Sequence, residues 1–181
     1  MKIATFDLET SALSANFGIV LCGVVKPWQQ EHKIFRIDQL KGATRSDDSK
    51  LVAALVAELN SYMILIAHNG IKFDRVFLNT RAIKHGIPLL NPRSNMIDPV
   101  LLARRYLRMS YNGLDTIAQY LQTEHQKTPV MGHLWMKAVI DRDAEALQEI
   151  INHCIEDVYV LEEVAQKLVP FVGKINEWGS A

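Results

Sequence analysis

The chain has 181 residues, 49% of them apolar and 22% charged, a balance that supports a packed core and excludes an intrinsically disordered chain. Its 20 basic and 20 acidic residues cancel to a net charge of zero; this argues against a general nucleic-acid coat protein but not against an enzyme that grips only a short strand end. The two cysteines, Cys22 and Cys154, offer neither a disulfide framework nor a zinc spacing and read as buried thiols in a reducing compartment. The opening MKIATFDLET has no signal-peptide plan and no apolar run is long enough to cross a bilayer, so an intracellular protein without a membrane partner is expected.

Lys2 to Leu8 reads as a strand, because Ile3, Thr5 and Phe6 favour extended backbone. Gly18 to Val25 is a second, apolar strand ended by Pro27, and Glu31 to Ile37 alternates as a third; such closely spaced strands suggest an antiparallel meander. A helix follows, capped by Asp47 or Asp48, with Leu51, Val52, Leu55, Val56 and Leu59 as its apolar stripe. Tyr62 to Ala67 is a short buried strand, and Gly70 to His85 a helix stopped by Gly86 and Pro88. Asn95 to Val100 reads as a strand running into a helix at Leu101 to Leu107. Tyr111-Asn112-Gly113 breaks that helix before another at Leu114 to Leu121. Thr123 to Gly132, with Pro129, is a loop; helices at His133 to Ile140 and Ala144 to Leu168 complete the chain. The order describes one α/β domain over residues 1–181, with helices packed on a mixed central sheet.

Three segments carry candidate chemistry. In FDLET, side chains two apart on a strand share a face, so Asp7 and Glu9 present adjacent carboxylates. Such a pair is costly unless water screens it or a cation sits between, and oxygen ligands suit magnesium or manganese rather than zinc. Taken alone, the pair also reads as an acidic strand end. HNGIKFD follows a buried strand and places Asp74 in the first helical turn, near a sheet edge where α/β proteins build sites; simple capping by Asn69 or Asp74 is the plainer account. In HCIEDVYVLEEV, His153 and Asp157 are four apart and share a helix face, Ile155, Val158, Leu161 and Val164 supply the packed side, and Glu156 and Glu162 read as solvated charges.

Together, FDLET, HNGIKFD and HCIED resemble, in order and spacing, the three motifs of the DEDD superfamily of 3′–5′ exonucleases, which includes polymerase proofreading domains and RNase-T-like and oligoribonuclease-like enzymes. IDPVLLARRY and YNGLDTIAQYL resemble the family's helical region between its second and third motifs. The resemblance implies a ribonuclease-H-like fold whose carboxylates Asp7, Glu9, Asp74 and Asp157 hold two magnesium or manganese ions. It implies that Asp7 bridges both ions, that Glu9 and Asp157 complete the water-activating site, and that Asp74 supports the other ion. One branch of the family carries tyrosine four residues before the last aspartate and the other carries histidine five before it; here His153 is four before and Asn152 five before. One residue of offset turns a helical side chain by about 100°, so His153 combines the position of one branch with the residue type of the other. His133 and His68 are further histidine candidates.

The activity so implied is hydrolysis of terminal phosphodiesters at 3′ ends of single-stranded nucleic acid, DNA favoured over RNA, releasing nucleoside monophosphates. Thr10, Leu13, Asn69 and Phe73 are candidate contacts to the terminal nucleotide. Phe17, Tyr111 or Trp135 can stack on a base, and Lys72, Arg75, Arg104, Arg105 and Arg108 can neutralise phosphates. A proofreading role would take a separate polymerase or repair partner. The alternatives are an inactive nucleic-acid-binding accessory module and a ribonuclease-H-like endonuclease.

Overall fold

The structure, a computed structural model, describes residues 2–39, 47–91, 95–126 and 131–172. The Pro129 part of the expected loop and the last residues of the expected domain lie outside them. Five strands, β1 (Ile3–Thr10), β2 (Val20–Pro27), β3 (Lys33–Arg36), β4 (Ile64–Ile66) and β5 (Asn95–Ile97), form one sheet in the order β3-β2-β1-β4-β5. Short connections make β1, β2 and β3 the expected antiparallel meander. α1 (Ser49–Leu59) and α2 (Asp74–His85) are crossovers, and they bring β4 and β5 back parallel to β1.

Alternation along β1 decides which residues enter the core and which reach the site. Ala4, Phe6 and Leu8 are buried and join Leu51, Leu55 and Leu59 of α1 and Phe77 and Leu78 of α2. Gly23 pairs with Leu8, and a Cβ there would come within 2.7 Å of Leu55 and 2.8 Å of Leu8, so this close approach of sheet and helix needs glycine. Thr5, Asp7 and Glu9 face the other way, toward α6 (Ala144–Val172); the Thr5 hydroxyl donates to the Val158 carbonyl of that helix at 3.4 Å. On the same face Ile64 and Ile66 meet Ala103 of α3 (Pro99–Tyr106), Ile117 of α4 (Leu114–Leu121), and Val160, Leu161 and Val164 of α6.

The elements depart from the sequence reading where tertiary partners intervene. β1 continues through Glu9 to Thr10. α2 starts at Asp74 rather than Gly70, because Asn69 has φ 60° and the chain from 68 to 73 turns instead of coiling. β5 stops at Ile97, where Asp98 caps α3 by accepting from the Val100 N–H at 3.1 Å and Pro99 takes the first helical position. The helix expected at 133–140 divides into α5 (His133–Met136) and a π-helical turn, Lys137–Asp141. Glu162 is not solvated. It is buried against Lys26 of β2 and accepts from the Gln29 N–H at 2.6 Å. Among the described residues, no helix is long and apolar enough to cross a membrane.

Candidate active site

The last residues of β1 lie under α6. Asp7 pairs with Val24 and Glu9 with Cys22 across the ladder, which breaks register between Glu9 and Thr10. The Thr10 hydroxyl donates to the Ala12 carbonyl at 2.9 Å and ties down the exit of the strand. From α6, the Cys154 thiol donates to the Asp7 backbone carbonyl at 3.5 Å and to its carboxylate at 3.4 Å. Burial pushes that thiol well above the ordinary range, and Cys22, Asp7 and Glu9 push it further. Cys154 therefore stays a neutral donor, and both cysteines are buried and free, as expected.

Asp74 approaches from the other element. It is the first residue of α2 and is buried. Burial raises its carboxyl pKa well above the usual value, and the charge of Asp7 raises it again, while backbone N–H groups at Asp74 and Leu8 act in the opposite sense. Two carboxylates from β1 and α2 thus meet at the C-terminal end of the parallel strands, where open α/β sheets build sites. Neither Asn69 nor Asp74 caps α2 with its side chain; Phe73 occupies the cap position.

The turn that delivers Asp74 is held by Asp98, which the sequence reading passed over inside IDPVLLARRY. Its buried carboxylate accepts from the backbone N–H of Asn69 at 2.9 Å and of Ile71 at 3.4 Å, besides capping α3. A side chain that caps one helix while gripping the entry to another leaves only the familiar Asp-Pro signal in sequence. Asp98→Ala leaves the buried Val100 N–H unsatisfied, at about 1–3 kcal/mol, removes the part-buried bonds to Asn69 and Ile71, and frees the turn. Urea unfolding should show a clear loss of stability, and Asp98→Asn should recover part of it by restoring one carbonyl acceptor.

His153 and Asp157 lie on one face of α6, both buried, with His153 Nε2 3.6 Å from Asp157 Oδ2. Cys154, in the same turn, is the residue that touches Asp7. The third expected segment therefore stands beside the first.

Of the expected substrate contacts, Thr10 is buried and lines neither cleft, and the other three divide between two clefts. Leu13, 86% exposed, and Phe73 line one of about 320 Å³ with Lys72. Asn69 lines another of about 700 Å³ with His68, Arg104 and Tyr111. Phe17 is exposed, Trp135 is half-buried against the core, and His133 is exposed on α5.

Among the described residues, Asp47, Asp48 and His85 form a trio whose candidate ligand atoms all lie within 4.8 Å of one another. Asp48 is buried and does not cap α1 with its side chain. Its carboxylate takes Arg81 through Nε at 2.9 Å and Nη2 at 2.7 Å, His85 Nε2 at 2.7 Å and the Val20 N–H at 2.9 Å. Asp47 instead accepts from the Ser49 N–H at 2.9 Å. A guanidinium already saturates this carboxylate, so the cluster is an ion-pair clamp joining α2 to β2 and the start of α1. Burial alone would raise the Asp48 pKa, but the Arg81, Val20 and His85 hydrogen bonds overcome it and hold the pKa below its usual value. Asp48→Ala, which strands buried Arg81, should cost about 3–5 kcal/mol. A group with a lowered folded-state pKa stabilises above its unfolded value and loses that contribution as pH falls through the folded one. Denaturation of wild type and Asp48→Asn should therefore differ most near neutrality and converge as pH falls below about 4.

Known proteins agree with this architecture. The RNase H superfamily sequence profile matches residues 4–169. A DNA polymerase III PolC-type from Ureaplasma parvum is 30% identical over 142 aligned residues, covering 66% of this chain and 10% of that protein. The family B DNA polymerase of the archaeon Pyrobaculum calidifontis has a similar fold, with TM-score 0.74 at 18% identity over 95% of this chain and 25% of that one. The chain thus spans about a tenth and a quarter of these polymerases. With the profile covering nearly its whole length and the mixed sheet in place, the chain belongs to the RNase H superfamily.

Proposed function

We propose that this chain is a metal-dependent 3′–5′ exonuclease that removes nucleoside monophosphates from single-stranded nucleic acid, DNA in preference to RNA. The observation that carries the reading is the meeting of Asp7 and Asp74 from different elements, with the Asp74 carboxyl raised by burial and by its neighbour's charge. The donor set fits hard divalent cations: carboxylate oxygens from β1, α2 and α6, beside a thiol kept neutral. Asp7, Glu9, Asp74 and Asp157 would hold two magnesium or manganese ions. Such ions supply neutralisation of the scissile phosphate and acidify water.

The chain's own groups then divide the remaining work. His153, whose Nε2 lies 3.6 Å from Asp157 Oδ2, accepts or orients a proton of the attacking water. Leu13 and Phe73 shape one wall for the terminal nucleotide, and Asn69 borders the other cleft. Polymerases among the relatives support a replication or repair partner and a place for residues 1–181 as one exonuclease domain.

A single strand labelled at its 5′ end tests the reading. Magnesium or manganese should produce a ladder shortening from the 3′ end, and excess chelator should abolish it. Full activity in chelator would refute metal dependence. Internal cuts would indicate an endonuclease, and intact strand with metal present a binding module.

A further inference from the structure

Resting on the exonuclease reading, we propose that the strand upstream of the 3′ end lies along the connection between α3 and α4. Two clefts meet there, each of about 700 Å³. The first is bordered by His68 and Asn69 on the turn that delivers Asp74, and by Arg104 and Tyr111. The second is bordered by Arg108, Tyr106 and Tyr120. Ser110 lines both, so the two clefts are neighbours, with the first beside the turn that delivers Asp74.

The lining identifies the occupant as single-stranded nucleic acid. Tyr111 and Tyr120 are 66% and 68% exposed, large rings left in water along a groove wall. Arg104 and Arg108 are exposed, and among the described residues neither is paired with a carboxylate. Tyr106 is held in place, with the Arg105 guanidinium 5.3 Å above its ring and Phe171 stacked at 5.9 Å. Arginines interleaved with exposed aromatic faces suit a phosphodiester backbone whose bases are unstacked, because each base offers a π-face whatever its identity. Among the described residues, Asp115 is the one carboxylate bordering the first cleft; it sits in the first turn of α4, where the helix dipole partly offsets its charge. The net charge of zero hides this local patch, since the carboxylates elsewhere balance the count.

The groove makes binding depend on strand length. In chelator, anisotropy of a 5′-fluorescein ten-nucleotide oligothymidylate should show tight binding by the wild type. Tyr111→Ala should weaken it on the order of ten-fold. The Arg104→Ala/Arg108→Ala double variant should weaken it and flatten the logarithmic salt dependence by about 1.4, at roughly 0.7 per phosphate contact on a single strand. With magnesium, KM for the ten-nucleotide strand should rise in both variants, and by more than KM for a two-nucleotide strand, which is too short to reach beyond the first cleft. Unchanged ten-nucleotide binding, an unchanged salt slope, or equal losses at both lengths would overturn the groove and leave the face for a protein partner. If the wild type hydrolyses neither strand but the binding losses appear, the exonuclease reading fails and the groove stands. If hydrolysis proceeds without the binding losses, the groove fails and the exonuclease reading stands.

Discussion

Asp7→Ala is expected to abolish nucleotide release while leaving the fold intact. Asp7 faces α6 from β1, and its charge raises the Asp74 carboxyl in a buried setting. In the metal-free protein this is like-charge repulsion, tolerated for function. Removing one carboxylate lifts it, so the metal-free melting temperature should hold or rise. The protection that manganese gives against heat should shrink, because ligands that bind only the folded state stabilise it in proportion to affinity. Activity measured on a labelled strand and melting measured with and without manganese check both halves. Loss of metal-free stability together with retained activity would make Asp7 a structural residue.

His153→Ala should lower turnover by roughly a hundred- to ten-thousand-fold, the usual contribution of general-base catalysis. His153 sits four residues before Asp157, buried, with Nε2 3.6 Å from the carboxylate. The four carboxylates remain in the variant, so manganese affinity and KM should change little while kcat falls. A purely packing role would instead show as lost stability with kcat retained. His153→Tyr should recover part of the rate, since tyrosine is the residue one family branch carries at that spacing. If kcat is unchanged in His153→Ala, the imidazole only buttresses Asp157, and proton transfer belongs to another group such as His133.

The parts legible in sequence were those written in short-range periodicity. The alternation of Ala4, Phe6 and Leu8 with Thr5, Asp7 and Glu9 fixed both the strand and the face of its carboxylates. The helical spacing of His153 and Asp157 likewise put them together. What escaped needs partners distant in the chain. Glu162 looks solvated on its own helix, but Lys26 meets it from a strand 136 positions away. Asp48 looks like a helix cap until Arg81, 33 positions on, takes its carboxylate. HNGIKFD looks like the start of a helix, and only the grip of Asp98 on Asn69 and Ile71 shows why residues 68–73 turn first.

Asp7, Glu9, Asp74 and Asp157, rather than the Asp47–Asp48–His85 clamp, are expected to hold divalent metal. Anomalous diffraction from crystals soaked in manganese measures this directly. Two anomalous peaks among the carboxylates at the end of β1, with none at Asp48, are the predicted result; manganese bound at Asp47, Asp48 and His85 while the end of β1 stays empty would contradict it.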